Sequence, residues 1–163
     1  MSVLLYRIDD RLIHGQVVVG WGQPLGLGFI VLVDDEVAAS EWEQELYRMG
    51  VPPEMDVYFS TVDEAARELA RWTADPRPGI LLTADIDTMC RLLRKAPGVR
   101  AINLGGIHHR AGRVQRLRYI YLAPAEEEVL RAIEASGVTV TARDVPAARA
   151  LPLSDVLTRD GTS

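Results

Sequence analysis

Short apolar runs alternate with amphipathic stretches along almost all of this 163-residue chain, and that alternation constrains its fold more than any other feature. Seven runs are typical of strands: residues 3–8, 29–33, 56–59, 80–83, 101–104, 119–122 and 138–141. Several are almost continuously apolar, as strands buried on both faces are. We therefore predict an α/β fold. It should have a single doubly wound, mainly parallel sheet of about seven strands with helices on both faces, in one domain.

Helix-capping residues stand between most of these runs. They form capping-box pairs or suit a helix start or exit: Ser40 with Glu43, Thr61 with Glu64, Asp85, Pro124 and Gly137. One connection differs, because residues 105–116 hold three glycines and no helical period. They predict a long loop, and loops of this length are often functional. The tail from about residue 158 is expected to be frayed.

Charge and composition exclude several classes of protein. Residues 1–60 carry three arginines against ten acidic residues, and the whole chain has a net charge of −5, which makes general nucleic-acid binding a poor fit. Residues 12–33 lack charged side chains, but His14, Pro24, two glutamines and five glycines argue against a membrane helix. The single Cys90 suits a reducing compartment. We predict a cytoplasmic protein that reaches the inner face of a membrane only through partners.

The segment Arg7-Ile8-Asp9-Asp10-Arg11-Leu12-Ile13-His14-Gly15-Gln16-Val17 follows the first predicted strand and leads into a predicted helix. Ligands of α/β sheets bind beyond the carboxyl ends of strands, and the free N–H groups of a helix start favour anions. Neutral imidazole can attack phosphorus, and phosphoryl transfer needs mainly positioning and charge neutralisation. His14 is therefore a candidate phosphoryl acceptor. The alternative is a capping or hydrogen-bonded loop histidine.

This segment resembles the active-site signature of the IIB subunit of the mannose/fructose/sorbose-type phosphoenolpyruvate-dependent sugar phosphotransferase system. The resemblance continues through Val33-Asp34-Asp35-Glu36-Val37-Ala38 and returns at Asn103-Leu104-Gly105-Gly106, with Arg110 and Gly112-Arg113 beyond. It covers nearly the whole chain.

The resemblance implies that a IIA subunit donates a phosphoryl group to His14, which passes it to a sugar entering through membrane subunits IIC and IID. It implies a catalytic role for Arg11 and a place for Arg7 near the phosphate and the donor. The further candidates for phosphate or partner binding are Asp10, Gly15, Gln16, Arg110 and Arg113. A regulatory phosphocarrier, which signals through its phosphorylation state without sugar transport, uses the same site and stays open as an alternative. No metal or other cofactor is expected.

Asp9 and Asp10 have two interpretations: they pair with nearby arginines or loop amides, or they orient His14. Acidic residues after a first strand are also typical of response-regulator receivers. That class needs a phosphorylatable aspartate where this chain has Ser60 and a lysine where it has Gly105, so we reject it.

Three other groups of residues have simpler interpretations. Residues 34–36 are acidic and suit helix capping better than a divalent cation. The glycines at 26 and 28 precede a strand, so they are no dinucleotide fingerprint, and the three tryptophans suit packing. The basic cluster is either a solvated loop or a surface for an acidic or phosphorylated donor, and its adjacent histidines are poorly placed to share a metal. The cluster comprises His108, His109, Arg110, Arg113, Arg116 and Arg118.

Overall fold

The computed structural model describes residues 4–160, so residue 3 of the first predicted strand and residues 161–163 of the tail lie outside it. The strands it describes are β1 Leu4–Ile8, β2 Phe29–Val33, β3 Asp56–Ser60, β4 Gly79–Thr83, β5 Ala101–Leu104, β6 Val114–Leu117, β7 Ile120–Leu122, β8 Thr139–Ala142 and β9 Leu151–Pro152. Seven strands form the main sheet in the order β3-β2-β4-β1-β5-β8-β9. All neighbours are parallel except β8 and β9.

The helices of residues 4–160 lie between these strands. A π-helix spans Gln16–Trp21, and the α-helices are α1 Gly22–Leu25, α2 Asp35–Ala38, α3 Glu41–Met49, α4 Val62–Thr73, α5 Ile86–Lys95, α6 Pro124–Ala135 and α7 Leu153–Leu157. Within this part of the chain, no helix combines the length and the apolarity that crossing a bilayer requires.

Two hydrophobic clusters cover opposite faces of the sheet. β2 shows the division, because Phe29 and Val31 belong to one cluster while Ile30 and Leu32 belong to the other. Helices α4 to α7 supply side chains to the first cluster, whereas the π-helix, α2 and α3 pack at the second. This arrangement confirms the predicted α/β class and its helices on both faces. All residues of β2 and β4 are buried, as their continuous apolar runs predicted.

The seventh strand of the sheet is not the one that the sequence predicted. The apolar run at 119–122 forms β7, which pairs with β6 in a separate antiparallel hairpin. The main sheet is completed by β9, which lies antiparallel to β8. β6 is half polar and β9 has two residues, so neither gives an apolar run. The predicted loop at 105–116 therefore ends before Val114.

Most of the predicted capping is confirmed. Thr61 and Asp85 accept hydrogen bonds from first-turn N–H groups of α4 and α5, and Gly137 follows α6 with a φ of 102°. Asp34 caps α2 by accepting from two backbone N–H groups at 3.0 Å. Ser40 precedes α3 without a capping hydrogen bond from its side chain, so the capping-box prediction there is wrong.

Candidate active site

Two loops meet where β1 and β5 end. We call residues 9–15 the histidine loop and residues 105–113 the arginine loop. The Asp10 N–H donates to the Gly106 carbonyl at 2.9 Å, and the Gly105 N–H donates to the Ile8 carbonyl at 2.7 Å. Parallel strands end at one edge of a sheet, and these bonds fix the two loops against each other there. The predicted location of the site at the carboxyl ends of the strands agrees with this geometry.

The histidine loop is held by two buried side chains. Leu12 and Ile13 enter the second hydrophobic cluster beside Val17 and Val18. Leu12 has a φ of 58°, a left-handed conformation that costs a non-glycine residue about 1–2 kcal/mol. Its N–H closes a turn by donating to the Asp9 carbonyl at 2.9 Å. The burial of Leu12 stabilises this strained turn, which places Arg11 and His14 on either side of it.

The two ring nitrogens of His14 have different surroundings. Nδ1 accepts a hydrogen bond from the backbone N–H of Gln16 at 3.2 Å, so it carries no proton in this arrangement. Nε2 is buried and lies 3.3 Å from Oδ2 of Asp9, without well-aligned hydrogen-bond geometry. The neutral ring that fits both contacts has its proton on Nε2, facing the carboxylate. Nδ1 is thus the nitrogen that holds a lone pair, and this lone pair accepts from the Gln16 N–H.

Asp9 is the centre of the charged groups. Its side chain has no exposed surface, and it lies within 3.5 Å of Arg7, Arg11 and His14. Burial raises the pKa of this carboxyl, but the contact with His14 and the positive charge of Arg7 outweigh burial, so the pKa lies below its ordinary value. Asp9 therefore pairs with arginines, as one interpretation predicted, and its contact with His14 leaves the orienting role as a prediction.

The Arg7 side chain is buried in the protein and is not exposed at the surface of the site. Its guanidinium donates to Asn103 Oδ1, to the Arg143 carbonyl at 2.7 Å and to the Asp144 carbonyl at 3.2 Å, and it lies 4.7 Å from the Trp21 ring centre. Burial lowers the pKa of Arg7, although the neighbouring carboxylates raise it. The predicted contact of Arg7 with phosphate or a donor does not fit, since its side chain has no exposed surface.

Arg11 and Gln16 form the exposed side of the site. Arg11 is 41% exposed, lies 3.5 Å from Asp9 Oδ1 and donates from Nη2 to Gln16 Oε1 at 2.7 Å. Gln16 in turn donates from Nε2 to Asp144 Oδ1 at 2.7 Å. A Cβ added at Gly15 would meet no atom within 4 Å, so the backbone beside His14 borders open space. These residues leave room for an anionic group next to the imidazole.

The helix start differs from the one that the sequence predicted. The helix after His14 begins as a π-helix. This form is rare in proteins overall, but where it occurs it is often at a functional site. The first N–H, that of Gln16, is taken by the His14 ring instead of standing free for an anion. The positive charge for an anion therefore comes mainly from Arg11.

The glycines of the arginine loop permit close approach. A Cβ at Gly105 would collide with the Arg7 guanidinium, and one at Gly106 would lie 3.4 Å from Asp9 Oδ1. Asp10, a predicted site residue, faces this loop: it accepts from the His108 N–H at 2.7 Å and lies 2.6 Å from His108 Nδ1. Asp10 thus joins the two loops, whereas Asp9 contacts His14.

The basic cluster divides into structural and exposed members. Arg113 is only 9% exposed and pairs through two nitrogens with Glu126 at 2.8 and 2.9 Å, so the prediction that it faces a partner is wrong. Arg116 pairs in the same way with Glu127. Arg110, by contrast, is exposed, as the partner-binding hypothesis requires.

One contributor to the site, Asp144, was not predicted from the sequence. The Asp144 carbonyl accepts from Arg7, Gln16 and Trp21, which ties the loop after β8 to the histidine loop. No local pattern marks Asp144, because its partners lie more than 120 residues away in the chain. Over residues 4–160, no three acidic, cysteine or histidine side chains are grouped to hold a metal ion.

Comparisons with known proteins bear on the family and the fold of this chain. The family model of the sorbose-subfamily IIB component of the phosphotransferase system matches residues 3–163. The chain is 32% identical to the N-acetylgalactosamine-specific phosphotransferase enzyme IIB component 1 of Escherichia coli, over 89% of this chain and 92% of that protein. It is 29% identical to the mannose-specific EIIAB component of E. coli, over 98% of this chain and 49% of that protein. The IIB domain of the Klebsiella pneumoniae sorbose permease superposes with a TM-score of 0.84, 26% identity and 96% coverage of both chains.

Proposed function

The chain belongs to the sorbose-subfamily IIB components of the sugar phosphotransferase system, and from this premise we propose that it is a phosphohistidine carrier. It accepts a phosphoryl group on His14 from a IIA subunit and passes it to a sugar that enters through IIC and IID. The observation that carries the proposal is the unequal environment of the His14 ring. One nitrogen is buried against Asp9, and the other carries no proton and holds a lone pair that accepts from the Gln16 N–H.

In the first transfer, the lone pair of Nδ1 attacks the phosphorus of the phosphoryl group that the donor carries. The new N–P bond forms as the bond between phosphorus and the donor atom breaks, and the donor atom leaves with that electron pair. The proton on Nε2 stays in place beside Asp9. The carboxylate stabilises the positive charge that the ring gains as Nδ1 becomes bonded to phosphorus.

Two groups receive the phosphoryl oxygens. Arg11 is half exposed and lies beside the histidine loop, so it can neutralise their charge. The Gln16 N–H, which donates to Nδ1 before transfer, is freed when that lone pair forms the N–P bond, and it can then donate to a phosphoryl oxygen. Open space at Gly15 admits the donor.

In the second transfer, a sugar hydroxyl attacks the phosphorus and the N–P bond breaks. His14 leaves as neutral imidazole, and the hydroxyl proton passes to solvent. A sugar phosphate is formed, and His14 is ready for another cycle.

The relatives support the choice of partners. The mannose-specific EIIAB protein, by its name, joins A and B components, and this chain matches 49% of it. Three relatives of this chain are named as specific for N-acetylgalactosamine, sorbose and mannose, so a sugar is the expected final acceptor.

Phosphorylation by a IIA protein tests the proposal. The purified chain is incubated with phosphorylated IIA, and its intact mass is measured before and after mild acid. We expect one acid-labile phosphoryl group on the wild-type chain and none on His14→Ala. His14→Gln is the matched control for side-chain size and polarity, and labelling of either variant at the wild-type level would overturn the assignment.

A second assay separates transport from the regulatory alternative. The phosphorylated chain is added to membrane vesicles that contain IIC and IID, together with candidate sugars. Formation of a sugar phosphate supports transport, whereas phosphorylation of His14 without any sugar phosphate supports a carrier that only signals.

A further inference from the structure

Helix α3 carries an exposed apolar stripe that nothing in the described residues covers. Trp42, Leu46 and Met49 are 69%, 54% and 81% exposed, which is half of the large hydrophobic side chains exposed in residues 4–160. They lie at positions i, i+4 and i+7, so they share one face of the helix. No residue of α3 is fully buried. A cluster of this kind is typical of an interaction site, whereas single exposed apolar residues need no explanation.

The opposite side of α3 is fixed to the protein. Gln44 donates from Nε2 to the Val37 and Ala38 carbonyls at 3.0 and 3.2 Å, and the ring of Tyr47 lies 6.5 Å from that of Phe59. The helix therefore cannot rotate to bury its stripe without breaking these contacts. The exposed face is a feature of the folded state.

The charge around the stripe limits what can bind it. Residues 34–50 contain six acidic residues and one arginine, a net charge of −5, and that arginine, Arg48, pairs with Glu45 at 2.7 Å. A second copy of this chain would bring the same negative charge against it, and an anionic lipid surface would be repelled too. A basic protein surface with apolar side chains is the occupant that complements both features.

The location of the stripe connects it with the active site. Tyr47 of α3 packs against the cluster that contains Val17 and Val18 of the π-helix after His14. The stripe and the histidine loop are therefore supported by the same face of the sheet.

We propose that Trp42, Leu46 and Met49, with the acidic residues around them, form the docking surface for the cytoplasmic face of the membrane subunits. We call it the α3 surface. This inference rests on the proposed function, in which the chain delivers its phosphoryl group at the membrane. Cytoplasmic loops of membrane proteins carry an excess of lysine and arginine, which provides the basic charge that this surface complements.

The size of the surface fits a contact that has to be released. A nine-residue helix is about 13 Å long, whereas a stable interface buries about 800 Å² on each partner. The α3 surface alone is too small for a permanent complex. A weak, charge-assisted contact suits a carrier that returns to its donor after each transfer.

The test compares surface variants in two assays. The variants are Trp42→Ser/Leu46→Ser/Met49→Ser, the charge variant Glu41→Gln/Glu45→Gln, and the control Val114→Ser, which removes an apolar side chain that is 50% exposed on β6. The first assay measures the apparent KM for the phosphorylated chain in sugar phosphorylation by vesicles containing IIC and IID. The second measures the rate of His14 phosphorylation by IIA.

The triple variant should raise the KM about tenfold or more, because buried anchors dominate weak interfaces. The charge variant should raise it less and weaken its dependence on salt. Both should be phosphorylated by IIA at the wild-type rate, and Val114→Ser should match wild type in both assays. An unchanged KM in the triple variant would overturn the proposal. The proposal would also be overturned if the wild-type chain sedimented as a dimer and the triple variant did not. The occupant of the α3 surface would then be a second copy of the chain.

Co-sedimentation keeps this proposal separate from the proposed function. The unphosphorylated chain is mixed with vesicles that contain IIC and IID, with empty vesicles, and with vesicles of anionic lipid. Binding only to the first, and its loss in the triple variant, supports the α3 surface even if His14 is not phosphorylated. Equal binding to all vesicles contradicts it. Failure of phosphorylation by IIA, with this binding intact, counts against the proposed function alone.

Discussion

The histidine loop and the arginine loop look alike in sequence but use their charges differently. Both contain arginine, histidine and glycine, and both follow a buried strand of the same sheet. In the histidine loop, Arg11 and His14 both contact the buried Asp9 carboxylate. In the arginine loop, Arg113 is taken up by Glu126 and His108 by Asp10. The two loops therefore differ in what their arginines leave exposed: Arg11 is 41% exposed and Arg113 is 9% exposed.

The same distinction separates the two arginines of the first motif. Arg7 lies within β1 and has no exposed surface, whereas Arg11 follows the strand and is 41% exposed. Arg7 acts on the site through Asp9, and Arg11 can contact a phosphoryl group directly. This comparison predicts stability effects for the buried group and rate effects for the exposed one.

The largest expected effect is at the buried carboxylate. Asp9→Asn should lower the free energy of unfolding by about 3 kcal/mol, because it removes the buried carboxylate that pairs with the buried Arg7 charge. Urea unfolding measures this loss. Asp10→Asn is the matched control. Because Asp10 retains some exposure, this substitution should lower the free energy of unfolding by less. Equal losses in the two variants would show that burial does not distinguish these carboxylates.

The effect of Asp9 also has a defined pH dependence. Its pKa is lowered in the folded chain, so its contribution to stability is complete above its unfolded pKa of about 4. That contribution disappears as the pH falls through the lower, folded value. The stability difference between wild type and Asp9→Asn should therefore shrink on acidification. A difference that stays constant down to pH values well below about 3 would contradict the assigned direction of the pKa.

The next effect is a rate effect at Arg11. Arg11→Ala should slow phosphorylation by IIA about 100-fold, equivalent to about 2.7 kcal/mol of transition-state stabilisation, with little change in stability. Arg11→Lys should recover part of the rate, because lysine keeps the charge but not the planar pair of donors. Rapid-quench kinetics and urea unfolding together separate the two effects. A normal rate in the alanine variant would remove Arg11 from the mechanism.

Arg113 should behave as a structural residue. Arg113→Ala should cost about 2 kcal/mol of stability, since it removes a two-pronged bond that holds the arginine loop to α6. At a temperature where the variant is folded, His14 should be phosphorylated at nearly the wild-type rate. A slow transfer in a fully folded variant would restore the partner-facing role that the sequence suggested.

The smallest effect is expected at Arg110. Its side chain is exposed, so neutralising it should reduce the rate of transfer from IIA about twofold at low salt, and less at higher salt. Stopped-flow transfer at several ionic strengths measures this change. Identical rates and salt slopes for Arg110→Ala and wild type would leave Arg110 as a solvated side chain.

Sequence patterns predicted the elements whose own residues carry the signal. β2 and β5 were predicted with their observed bounds, because an apolar run that is buried on both faces is distinct from its flanks. β6 and β9 were missed because pairing with a neighbouring strand, and not an apolar run, makes them strands. Ser40 shows the same limit, since its capping-box spacing is present without the hydrogen bond.

The site divides in the same way. The motif around His14 located Arg11 and Gln16, which lie on neighbouring turns of the chain. The burial of Arg7 could have been inferred, because a charged residue inside a buried strand needs internal partners. The role of Asp144 could not have been inferred from the sequence. Asp144 contacts Gln16 and Trp21 only because the order of strands in the sheet brings the loop after β8 close to them.

The position of the phosphoryl group on the His14 ring tests the central claim most directly. The chain, labelled with ¹⁵N at histidine, is phosphorylated by IIA, and long-range ¹H–¹⁵N NMR identifies the ring nitrogen that is bonded to phosphorus. Burial of Nε2 against Asp9 predicts phosphorylation at Nδ1, with the proton retained on Nε2. A phosphoryl group on Nε2, or on any residue other than His14, would contradict the account.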